Sequence, residues 1–117
     1  MTPTPEERVA AARARMAELK EKFIERTHGD LQTMRSSLAS LEAGDPAALD
    51  TIVKLAHRMT GTGATLGLDA LSDRAQEIER LGEAQPAGSA PDGAALSQLR
   101  ASIGALAAEL ARTPRAG

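Results

Sequence analysis

Apolar residues recur every three or four positions through nearly all of this chain, and that spacing admits little besides helix. The longest run is Val9, Ala12, Met16, Leu19, Phe23, Thr27, Leu31, Met34, Leu38 and Leu41, a single stripe on one helical face. It predicts one very long helix, or two helices with a kink near Met16 or Gly29. Thr4-Pro5-Glu6-Glu7 reads as its start, with Thr4 as cap, Pro5 in the first turn and Glu7 closing a capping box. Ala43-Gly44 ends it, because glycine accepts the left-handed conformation that a helix stop requires.

Asp45-Pro46 repeats the cap-then-proline pattern and predicts a second helix. Its stripe is Leu49, Ile52, Val53, Ala56, Met59 and Gly63, stopping near Leu66-Gly67. A further stripe, Leu71, Ala75, Ile78 and Leu81, runs to Gly82. The segment from Gly82 to Gly93 is rich in Gly, Ala, Pro and Ser and reads as a flexible connection. Leu96, Leu99, Ile103, Leu106 and Leu110 mark the last helix. Amphipathic helices joined by mostly short turns bury their stripes on one another, so the expected fold is all-α, an antiparallel four-helix bundle. The first stripe is too long for such a bundle. Residues 1–18 are expected as an N-terminal helical extension, 19–112 as the bundle and 113–117 as a frayed tail.

Composition removes several function classes. There is no cysteine, which excludes disulfides and thiolate metal sites. Fourteen Lys and Arg against sixteen Asp and Glu leave a net charge of −2, without the basic excess of a nucleic-acid binder. One Phe, no Tyr and no Trp leave no platform for stacking bases. No apolar run reaches the ~18 residues of a membrane span. The N-terminus lacks a signal-like apolar stretch, so the expected location is cytoplasmic. The histidines and carboxylates form no metal-ligand motif such as His-Glu-x-x-His.

One residue stands apart from the core pattern. On a helical wheel His57 lies roughly 110° from the centre of its stripe, at the edge facing water. Asp50, Lys54, Gly61 and Ala64 are its neighbours there. Gly61, one turn on, is a costly residue inside a helix, by about 1 kcal/mol relative to alanine. It leaves the imidazole clear of side chains. Lys54 and Arg58 put two cations nearby, and Asp50 can pair with Lys54. An exposed imidazole, bare backbone and positive charge suit an anion or a partner that delivers one. His28 has no such surroundings and reads as incidental.

The segment Leu55-Ala-His57-Arg-Met-Thr-Gly61-Thr-Gly-Ala-Thr-Leu66-Gly67-Leu-Asp-Ala-Leu71 resembles the signature of histidine phosphotransfer (HPt) domains. Ala56-His57, Met59, Gly61, Leu66-Gly67 and Leu71 fit the family pattern. Glu79 on the next helix falls at the family's acid or amide position. The likeness extends from about Leu19 to Leu110. It implies a phosphoryl carrier, a signalling protein rather than an enzyme, with His57 as phosphoacceptor and Glu79 orienting its ring. Lys54, Arg58, Thr60, Gly61 and Ala64 would face the phosphoryl group or the partner.

The implied partners are response-regulator receiver domains and a sensor or hybrid histidine kinase. No cofactor is expected on this chain, and Mg²⁺ is expected on the receiver. One position departs from the pattern. The family's usual lysine three residues after the histidine is Thr60, which carries no charge. Either Lys54 or Arg58 substitutes for it, or the bundle binds a receiver or other helical partner without transferring. A monomer is expected, with a dimer through the Val9–Phe23 stripe as the alternative.

Overall fold

A computed structural model describes residues 1–114. It contains four helices, α1 (Pro5–Glu42), α2 (Ala48–Thr65), α3 (Asp69–Glu83) and α4 (Gly93–Arg112), and no strand among the described residues. Each helix packs on its neighbours in sequence and α4 closes back onto α1, giving the antiparallel four-helix bundle.

The stripes become the core. Phe23, Ile24, Leu31, Met34, Leu38 and Leu41 from α1 meet Ile52, Ala56 and Met59 from α2, Leu71, Ala75, Ile78 and Leu81 from α3, and Leu99, Ile103, Leu106 and Leu110 from α4. Thr27 is buried within this set because its hydroxyl donates to the Phe23 carbonyl at 2.7 Å, which removes the penalty of an unpaired polar group.

Of the two readings of the first stripe, the structure has the single helix. The thirty-eight residues of α1 run unbroken through Met16 and Gly29. At 1.5 Å per residue that is about 57 Å of helix, which accounts for the 62 × 24 × 18 Å dimensions of the molecule. Thr4 caps it as expected, its hydroxyl accepting from the Glu7 N–H at 3.1 Å. The stripe, however, is buried only from Phe23 onward. Val9, Met16 and Leu19 remain 50%, 41% and 38% exposed. Residues 1–19 are all exposed and overhang the bundle.

Two helix ends share one device. At Gly44 (φ +100°) the N–H groups of Gly44 and Asp45 bond back to Leu41 and Ser40. At Gly67 (φ +75°) those of Gly67 and Leu68 bond back to Ala64 and Gly63. This is the Schellman motif, which satisfies the last carbonyls and reverses the chain.

The start of α2 differs from the sequence expectation. Asp45 and Pro46 form tight turns before it, with the Asp45 carboxylate accepting from the Ala47 N–H at 3.1 Å, and the helix proper begins at Ala48. The loop before α4 ends on a cap that the sequence reading did not single out, Asp92 accepting from the Ala95 N–H at 2.8 Å. At the other end of α4, Thr113 folds back, its hydroxyl donating to the Glu109 carbonyl at 2.9 Å. Residues 115–117 of the expected frayed tail lie outside the described residues.

Candidate functional site

The site is set by how closely α2 and α3 approach. At the hairpin end a methyl group on Gly63 would lie 3.3 Å from Cβ of Ser72, and the Ser72 hydroxyl donates to the Thr60 carbonyl at 2.8 Å. Ten residues back along α2 and ten forward along α3, a methyl group on Gly82 would lie 2.4 Å from a methyl of Val53. These two close approaches bracket the pair His57 and Glu79, which are 22 residues apart in sequence. The one-residue link after the Gly67 turn sets the register that puts them opposite each other.

His57 Nδ1 donates to Glu79 Oε2. A carboxylate only accepts, so this bond places the ring proton on Nδ1 and leaves Nε2 as the lone-pair nitrogen on the other edge. The two side chains differ in surroundings. His57 is 78% exposed and Glu79 only 15%. The carboxylate is thus backed by protein while the ring it holds stands in solvent, anchored by buried Ala56 and Met59 on its own helix.

A hollow of about 350 Å³ opens beside the ring, lined by His57, Thr60, Gly61, Gln76, Glu79, Arg80 and Glu83. Gly61 stands open: a methyl group there would meet nothing within 4 Å. Gly63 and Gly82 are required by packing, whereas Gly61, like Gly29 and Gly104, has no such internal reason. Ala64, also exposed, follows it on the same helix.

The cations fall otherwise than the sequence suggests. Arg58 turns toward α1 and bonds Asp30 at 2.8 Å. Lys54 bonds Asp50 at 2.8 Å, and that hydrogen bond raises its pKa. Neither lines the hollow. Thr60 lines it but spends its hydroxyl on the Ala56 carbonyl at 2.8 Å, so it has no donor to offer an anion. The cation that does line the hollow is Arg80. Its Nε and Nη2 donate to Glu77 at 2.9 and 2.6 Å. This hydrogen bonding holds the Glu77 carboxyl below its ordinary range and raises Arg80. The pair is therefore ionised at neutral pH and is weakened when acid protonates Glu77. Gln76, Arg80 and Glu83 were missed from sequence. A helical wheel drawn around Glu79 finds them, since all three flank it on α3.

A family model for the Hpt domain matches residues 18–109. The chain belongs to the Hpt domain family. Hpt domains are phosphocarrier modules of phosphorelays, working with receiver domains and histidine kinases. Neither a curated protein nor a solved structure matches the chain. Among the described residues no group of three His, Cys, Asp or Glu is placed to hold a metal ion, and no helix is long and apolar enough to cross a membrane. His28 is half-buried on α1 and does not line this hollow.

Proposed function

We propose that His57 accepts a phosphoryl group from the aspartyl phosphate of a receiver domain, or from a histidine kinase relay, and passes it to another receiver. The observation that carries this reading is the Nδ1–Glu79 bond beneath an open ring. The Nε2 lone pair attacks phosphorus in line. The N–P bond forms, the P–O bond to the receiver carboxyl breaks, and the electron pair leaves on that carboxylate. The ring keeps its Nδ1 proton and becomes an imidazolium. Glu79 is already in place to balance that charge, so little reorganisation accompanies the step. Reversal of the same step delivers the group onward. The receiver supplies its own Mg²⁺, and this chain supplies nucleophile, orientation and a bare docking surface at Gly61 and Ala64. Residues 19–112 make up the transferring unit and 1–18 an extension outside it.

The test mixes the purified chain with phosphorylated receiver domains and Mg²⁺ and looks for acid-labile, base-stable phosphate. Label is expected on the wild type and absent from His57→Gln. A second reading, a bundle that binds a receiver without transferring, is favoured by one observation, the engaged hydroxyl of Thr60. Binding without label in the same assay would establish it.

A further inference from the structure

A phosphoryl group on Nε2 brings concentrated negative charge to the hollow beside His57. Something of opposite charge has to meet it, or the group adds to the charge already there. Among the described residues, the hollow holds two carboxylates, Glu79 and Glu83, and one cation, Arg80. The other basic side chains near the histidine are engaged elsewhere. Arg58 is drawn to Asp30 on α1, and Lys54 to Asp50 a turn before it on α2. Position 60 offers neither charge nor a hydroxyl proton.

From this arrangement we infer that Arg80 is the cation that contacts the phosphoryl group on His57, supplying from α3 the charge that α2 lacks at Thr60. This deepens the phosphoacceptor reading and rests on it. Arg80 is suited to the role by its chain position and its donors. It follows Glu79 directly, so the helix that orients the ring also carries the charge. Glu77 binds the guanidinium through Nε and Nη2, which leaves the Nη1 edge to bond phosphoryl oxygens without releasing Glu77. The tether limits the freedom that so exposed an arginine would otherwise lose on binding.

The experiment uses potassium phosphoramidate, a small donor that needs no docking surface. Nε2 attacks its phosphorus, the P–N bond breaks and ammonia leaves. Label on His57 is followed by time and by ³¹P NMR across a pH series. Arg80→Gln is expected to slow labelling about tenfold, the rate equivalent of one modest charge-assisted contact. It is also expected to move the phosphoryl titration toward higher pH, because a phosphoryl group without its cation holds its last proton more tightly. Arg80→Lys should recover most of the rate. Arg80→Gln combined with Thr60→Lys should recover both the rate and the titration, which a purely structural role for Arg80 would not allow.

Wild-type rate and an unmoved titration in Arg80→Gln would overturn the assignment while leaving His57 as phosphoacceptor. A wild-type chain that takes no label, from this donor or from phosphorylated receivers, would overturn the phosphoacceptor reading itself.

Discussion

On the proposed phosphoacceptor reading, Glu79 acts on His57 in two ways, through the proton it keeps on Nδ1 and through the charge it offers once the ring is phosphorylated. Replacing it by alanine removes both, and partners of this kind are worth about 10–100-fold at histidines that bind metals. Glu79→Ala should therefore slow labelling from phosphoramidate by about tenfold or more, while circular dichroism still reports a folded helical bundle. Gly61 is expected to act by shape alone. Gly61→Gln meets no internal obstacle and should stabilise α2 slightly, since glycine is the poorer helix former by about 0.5–1 kcal/mol. It should block transfer from a receiver yet leave labelling by phosphoramidate intact. Loss with both donors, or with neither, would remove Gly61 from the docking surface.

At this scale the candidate residues were more legible in the sequence than the contacts around them. His57 and Gly61 stood out by wheel position, because one helix is a known geometry. Glu79 was found only through the family resemblance, since a partner across a turn depends on the angle between two helices. The partner of Arg58 was hidden for the same reason: its bond to Asp30 spans 28 residues, and no local pattern announces it.

Among the helices, the α2–α3 pair carries the candidate site, and its spacing depends on glycine. A Cβ on Gly82 would overlap Val53, which sits one turn before His57. Gly82→Ala forces that contact apart. Overpacking of this kind costs about 1–3 kcal/mol, against about 1 kcal/mol gained from better helix propensity. The expected net result is destabilisation by about 1 kcal/mol, read as a melting temperature several degrees lower, together with slower labelling as His57 moves from Glu79. An unchanged melting temperature would mean that Val53 swings aside freely.

Helix ends were largely legible here because Gly44 and Gly67 are chemical stop signals. The start of α2 was not. Asp45-Pro46 fits a helix cap and a tight turn equally well, and the choice lies in the preceding reversal at Gly44. The amphipathic run of α1 was legible as helix but not as overhang, because a stripe does not say how much of it finds a partner.

Over the whole molecule, the long first helix controls shape while the bundle holds the candidate site. Among the described residues, three arginine–carboxylate pairs tie neighbouring helices at the surface, Arg58–Asp30, Arg74–Glu109 and Arg100–Glu42. Exposed pairs of this sort each contribute about 0–1 kcal/mol, so the apolar core sets stability. Sedimentation velocity should find a monomer whose frictional ratio reflects a 62 Å length on a 24 × 18 Å cross-section. A dimer would instead indicate that Val9, Met16 and Leu19 find their partner in a second chain.

The openness of His57 has a temporal consequence. A ring 78% exposed, seated in an open hollow, keeps bulk water in contact with whatever it carries. On the phosphoacceptor reading, phosphate stored there leaks. Each N–P bond is a clock started at loading, and delivery competes with hydrolysis from that moment. The protein then behaves like a capacitor with a finite resistance across it. A brief input is passed on only if a receiver arrives within the discharge time, and on the assignments proposed above Glu79 and Arg80 are the side chains whose chemistry sets that time.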